Sequence, residues 1–143
     1  MRELNPWAVR SNGREAHRRR YSGYMRSPAW YRRRYQWAEE EAGLLPAGGA
    51  IVCLGCGKPW KLKQDDLHHI TYDRLGIEEH DDLWPLCRGC HTLIHNLLAS
   101  TKTWRKLPRV QANHVALEYV RDEREGKLSV RFPRGASFLP DYL

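Results

Sequence analysis

The residues best suited to chemistry in this chain are its cysteines and a subset of its histidines. All four cysteines fall into two pairs of equal spacing, Cys53-x2-Cys56 and Cys87-x2-Cys90. Each pair can present two thiolates from one tight turn, and four thiolates complete the tetrahedral shell of a zinc ion with no position left open. Such a site is structural. Two disulfides are the other way to use four cysteines, but C-x2-C spacing suits one tetrahedral ion better, and the opening residues Arg2, Glu3 and Asn5 contain no secretory h-region. Four of the seven histidines lie within 28 residues, as the doublet His68-His69 and the pair His91-x3-His95. Imidazoles at i and i+4 share a helix face and can chelate one ion, and a third from a facing strand leaves a coordination position for water or phosphate. That is the arrangement metal-assisted hydrolysis needs. The plainer reading, surface or hydrogen-bonded core histidines, fits His17, His80 and His114, which have no such company.

Specific elements must position these groups. Ser27-Pro28 is a helix start, a hydroxyl cap followed by a residue whose missing N–H does no harm at the first position. Tyr31, Tyr35, Ala38 and Ala42 then form one stripe, with Trp30 and Trp37 beside it and Arg32 and Arg33 pointing elsewhere, until Gly43 ends the helix. After the connection 44–49, Ala50-Ile51-Val52 reads as a strand. Residues 53–72 read as two short extended pieces with Leu62, Leu67 and Ile70 inward. A loop carries the acidic run Glu78-Glu79-His80-Asp81-Asp82 before Leu83-Trp84-Pro85-Leu86 leads into the second cysteine pair. Leu93, Ile94, Leu97 and Leu98 have helical spacing over 90–99. A last helix is predicted over 108–125, with Val110, His114, Leu117 and Arg121 on one face and Gly126 at its end.

Charge is distributed unevenly. The 143 residues carry a net +7, yet residues 1–37 hold ten Arg against Glu3 and Glu15, a net of +8, so the remainder sums to −1. A concentrated basic segment implies an anionic partner. Turn-forming Asn5-Pro6, Ser11-Asn12-Gly13 and Ser22-Gly23 make residues 1–26 a basic arm, residues 27–125 a single domain with flanking helices, and residues 126–143 a tail without functional signal. With no stretch of 18 apolar residues and no leader-like segment, the expectation is a soluble cytoplasmic protein without a membrane partner.

Taken together, Cys53-x2-Cys56, Leu67-His68-His69-Ile70-Thr71-Tyr72 and Asp82-Leu83-Trp84-Pro85-Leu86-Cys87-x2-Cys90-His91-x3-His95 resemble the HNH endonucleases of the ββα-metal fold, in the subgroup with a four-cysteine zinc cluster. The resemblance covers about residues 27–99, including the basic helix ahead of the first cysteine pair. It implies a small α+β fold, a ββα-metal core stapled by zinc and flanked by a basic N-terminal helix and a C-terminal helix. It further implies that His68, His91 and His95 hold a catalytic divalent ion (Mg, Mn, Ni or Zn), that Cys53, Cys56, Cys87 and Cys90 hold structural zinc, and that His69 is the general base. The family's middle position, usually Asn or His, is Asp82, which would orient His69 by accepting its ring N–H. On a regular strand adjacent side chains face opposite sides, so either the strand is irregular at His68-His69 or one of these roles falls elsewhere.

The implied activity is metal-dependent hydrolysis of phosphodiester bonds in DNA, with Arg18, Arg19, Arg20, Arg32, Arg33 and Arg34 on the phosphate backbone, where they give affinity without reading sequence. A phage or mobile-element origin, with a protein partner in packaging or insertion machinery, would fit the small size. Two alternatives stay open: a non-catalytic zinc-ribbon module that binds nucleic acid, which has no need of the second histidine set, and an RNA-directed toxin nuclease of the same fold.

Overall fold

The computed structural model describes residues 14–125, in the order α1 (Arg14–Met25), α2 (Pro28–Leu44), β1 (Asp66–His69), a 3-10 turn (His80–Asp82), β2 (Leu83–Leu86), α3 (Arg88–Ser100), α4 (Lys102–Lys106) and α5 (Arg109–Arg124). This is a small α+β arrangement in which the antiparallel strands β1 and β2 pair and α3 follows at once. Among the described residues no helix is long and apolar enough to cross a membrane. The tail expected over 126–143 lies outside the described residues, as do residues 1–13 of the expected arm. Among the described residues two units can be distinguished, 14–51 with 69–84 and 52–68 with 85–125.

In the first unit the expected arm is helical from Arg14 to Met25. The turn signal Ser11-Asn12-Gly13 precedes this helix, and a single Gly23 near its end costs under about 1 kcal/mol relative to Ala, which the burial of Tyr24 offsets. Glu15 complements the helix dipole in the first turn and pairs with Arg19 one turn later at 3.3 Å. Ser27 caps α2 as expected, its hydroxyl accepting from the Trp30 amide at 3.2 Å, with Pro28 in the first turn. Gly43 does not end the helix. α2 continues to Leu44, and Leu45 becomes extended because Pro46 disfavours the helical region for the residue before it.

The packed face of α2 differs from the expected stripe. Trp30 and Trp37, two turns apart, are buried, whereas Tyr31 and Tyr35 are each 60% exposed. Indole rings bury the larger apolar area and take the inward side. Arg33 lies on that side too: its Nε donates to the Glu78 carbonyl at 3.2 Å and its Nη1 to Glu40 at 3.1 Å. Ile70, Leu75 and Leu83 complete the core of this unit.

In the second unit the strand expected over 50–52 is reduced to one bridge, Val52 to Pro59, and the two extended pieces of 53–72 reduce to β1. Leu67 is buried there as expected, Leu62 only partly. The Cys87 thiol caps α3, accepting from the Cys90 amide at 3.4 Å, and Thr101 caps α4 through the Trp104 amide at 3.3 Å. α5 packs against α3. Its buried residues are Ala112, Asn113, Val115, Ala116, Leu117 and Val120, so of the expected set only Leu117 is inward. Two alanines on that face let the helix backbones approach, which the larger Val110 and His114 would not.

Candidate metal centres

The four cysteines form one cluster. Their sulfurs lie within 4.8 Å of one another, none is in a disulfide, and the Cys56 and Cys87 sulfurs are 3.8 Å apart. Backbone geometry builds each half. The Cys53 amide donates to the Lys58 carbonyl and the Gly57 amide to the Cys53 carbonyl, closing a knuckle in which Gly57 has φ +76°. Cys87 and Cys90 come from the cap and first turn of α3. Burial pushes the Cys53 thiol up, but backbone N–H groups including those of Cys87, Cys56 and Gly55 outweigh it and its pKa is lowered; at Cys90 burial and the neighbouring sulfurs of Cys87 and Cys53 push the thiol up. Thiols that oppose one another's ionisation in this way become ligands together when a divalent cation supplies the balancing charge. The cradle is also fitted to its contents: a Cβ at Gly55 would meet the Cys90 sulfur at 2.7 Å and the Cys90 Cβ at 2.9 Å. A structural metal ion such as zinc suits this donor set.

The second group is His68 with His91 and His95, each of which has a ring nitrogen within 4.8 Å of those of the other two. β1 supplies the first, and α3, one turn beyond its cysteine cap, supplies the pair. The Nε2 atoms of His91 and His95 are 3.0 Å apart, a spacing that two lone pairs tolerate only with a proton or cation between them. Nδ1 of His91 faces Asp66 Oδ2 at 3.0 Å, the carboxylate–imidazole arrangement that orients metal-binding histidines. Burial holds His68 well below the ordinary imidazole range, with further lowering from His91, His95 and Arg109. At His95, burial and then His91 and Arg109 bring the pKa to about 4. Both rings are therefore neutral at pH 7, the form that binds metal.

His69, the next residue, has different neighbours. Its Nε2 is 2.6 Å from Glu78 Oε2, and Glu78 Oε1 accepts from the Tyr24 hydroxyl at 2.7 Å. Both side chains of the His69–Glu78 pair are almost wholly removed from solvent. Trp30, Tyr72, Tyr21 and Tyr24 surround the imidazole with ring centroids 4.8, 5.8, 6.0 and 6.5 Å away. The carboxylate on His69 Nε2 is thus that of Glu78. Asp82 binds elsewhere, with both oxygens on the Arg74 guanidinium and Oδ2 accepting from the Glu79 amide at 2.9 Å. Burial raises the Asp82 carboxyl, but Arg74 and that amide outweigh it and leave the group below the usual aspartate value.

The two arginine triplets lie on α1 and α2, which pack together. Arg18, Arg19 and Arg32 are exposed, Arg20 and Arg34 half-buried, and the Arg33 side chain is only 12% exposed and bonded within its unit. His80, unremarkable in the sequence, is clamped between Glu40 (Nδ1, 2.9 Å) and Glu41 (Nε2, 2.5 Å) and stacks on Trp37 with an interplanar angle of 6°. Burial lowers its pKa, but the two carboxylates more than reverse this and the net shift is upward.

Glu78, Asp66, Asn113 and Gly55 are the site residues that sequence reasoning missed. Of these, only Gly55, inside a C-x2-C pair, carried a signal that could have been read. No family model matches the chain, and searches of curated proteins and of solved structures give no match either.

Proposed function

We propose that the chain is a metal-dependent endonuclease of the HNH type that hydrolyses phosphodiester bonds in DNA. The observation that carries this reading is the convergence of His68, His91 and His95 in a strand–strand–helix order, on a helix whose first turn also belongs to the four-cysteine cluster. A binding module requires the cluster but has no use for three mutually facing imidazoles, one of which, His91, is oriented by Asp66. The resemblance in the sequence supplies the reaction class.

In this reading the four thiolates hold zinc and fix the start of α3, which in turn fixes His91 and His95. His68, His91 and His95 would hold a divalent ion, which would supply Lewis-acid stabilisation of the charge that develops on the phosphate as the bond breaks. His69 takes the proton of the attacking water. Because its Nε2–H is donated to Glu78, Nδ1 is the basic nitrogen, and Glu78, held in turn by Tyr24, does the orienting expected of Asp82. Asp82 instead secures the loop through Arg74. Arg18, Arg19 and Arg32, exposed on α1 and α2, are the groups available for phosphate contacts.

Incubation of the zinc-containing protein with supercoiled plasmid across Mg, Mn, Ni and Zn tests the proposal. Conversion to nicked or linear DNA that needs the added ion and stops with EDTA is the expected result. A retarded but uncut plasmid with every ion would identify a binding module instead.

A further inference from the structure

The sequence resemblance ends near residue 99, yet α5, beyond it, brings a polar side chain to the histidine set. Asn113 is 0% exposed, on a helix where its side chain contributes little intrinsic propensity and where a buried amide is costly unless both ends are bonded. Both ends are. Nδ2 donates to the Arg109 carbonyl at 2.9 Å, and Oδ1 is 2.5 Å from His68 Nε2.

The first bond fixes the sense of the second. Turning the amide over would bring its oxygen against the Arg109 carbonyl oxygen, two acceptors at hydrogen-bond distance. With Oδ1 held toward the imidazole, the short contact must be donated by the ring, so Nε2 carries the hydrogen. A neutral imidazole has one N–H, which leaves its lone pair on Nδ1. His91 is sorted in the opposite sense, since its Nδ1 faces Asp66 and its Nε2 faces that of His95.

We propose that Asn113 sets the tautomer of His68, so that this histidine offers Nδ1 to a divalent ion while His91 and His95 offer Nε2, which makes α5 a working part of the metal centre. The inference rests on reading the three histidines as ion ligands. Asn113 is then a positioning residue: it presents the lone pair in the right direction before the ion arrives, and the binding energy is not spent on turning the ring or moving its proton. Outer partners of metal-binding histidines typically account for about 10- to 100-fold in affinity.

The test uses the full chain with its cysteine cluster filled by zinc, titrated with a second equivalent of Zn2+ by calorimetry, together with 15N-detected imidazole resonances of His68. Asn113→Leu keeps the branched shape and removes the acceptor, and Asn113→Asp keeps an oxygen at the same place. Wild type should show His68 protonated at Nε2 and zinc-bound at Nδ1. Asn113→Leu should bind the second zinc about 10- to 100-fold more weakly, and Asn113→Asp should recover most of the loss. Equal affinity in wild type and Asn113→Leu, or His68 ligating through Nε2, overturns the proposal. A wild type that takes up no second zinc overturns the metal reading itself and the role of Asn113 with it. Should Asn113→Leu fail to fold, as judged by loss of the first zinc, the His68 tautomer in wild type decides.

Discussion

Gly55→Ala is a one-carbon change whose consequence follows from the packing around the Cys90 sulfur. The added Cβ would lie 2.7 Å from the Cys90 sulfur, 2.9 Å from its Cβ and 3.3 Å from Val120 Cγ1. Ordinary contact begins near 3.4 Å, so the sulfur must retreat by about 0.7 Å (3.4 − 2.7). Zinc–ligand distances tolerate only about 0.2 Å. Relief must come from moving the thiolate off the ion or from displacing the knuckle and α5 together. Overpacking of this kind costs about 1–3 kcal/mol, and because zinc binding is coupled to folding, the loss should appear in both. With about 3 °C per kcal/mol for a chain of this size, the midpoint of thermal unfolding should fall by about 3–9 °C. A chromophoric chelator should withdraw zinc at a lower concentration than from wild type. Gly57→Asn is the comparison: Gly57 has open space around its Cβ position and needs only the left-handed backbone that Asn tolerates, so zinc retention should change little. If Gly55→Ala matched wild type in both unfolding and zinc retention, the close approach of this backbone to Cys90 would not be a constraint and the cluster geometry would be wrong.

Three further outcomes follow from particular contacts. Gly43→Ala, within α2 and with nothing inside 4 Å of the new Cβ, should stabilise the protein by about 0.5–1 kcal/mol in urea unfolding. His80 has a raised pKa from Glu40 and Glu41, so the folded state holds a proton that the unfolded state releases. Its stabilisation is complete below the unfolded imidazole value near 6.5 and is lost as pH rises through the folded one. His80→Gln should flatten the unfolding midpoint across that window, and an unchanged pH profile would show that the clamp is not formed. On the proposed function, Arg32→Ala should lower the log–log salt slope of DNA affinity by about 0.9 without affecting folding. Arg33→Ala should instead destabilise the fold by about 1–2 kcal/mol through its lost bonds to Glu78 and Glu40, and the opposite assignment of the two effects would reverse their roles.

Much of the grouping of candidate ligands could be read from the sequence because chelation imposes spacing. Cys-x2-Cys and His-x3-His are local, and their grouping in space follows from a tight turn and one helix face. The start of α2 was equally legible, since a Ser-Pro cap is a local device. What the sequence did not disclose depends on partners distant along the chain. Glu78 stands in an acidic run that reads as solvated loop, and only the fold brings it to His69 and, 54 positions away, to Tyr24. Asn113 looks like any polar residue on a helix until its 45-residue reach to His68 is seen. The inward face of α2 was misjudged because Tyr and Trp both satisfy a helical period, and the choice between adjacent stripes is made by what packs against them. Asp82, placed by motif position, was drawn instead to Arg74, an ion pair that a position-by-position transfer cannot foresee.

The central claim is that His69 acts in hydrolysis and the neighbouring histidines hold the ion it works with. The most direct measurement is the single-turnover rate of plasmid cleavage by His69→Ala and wild type in Mn2+, with ion uptake and DNA affinity measured on the same preparations. Removal of a general base typically lowers the rate by about 10² to 10⁴ while leaving binding in place. The account predicts a fall in that range with ion and DNA binding unchanged. Cleavage by His69→Ala at the wild-type rate, or no cleavage by wild type in any divalent ion, would contradict it.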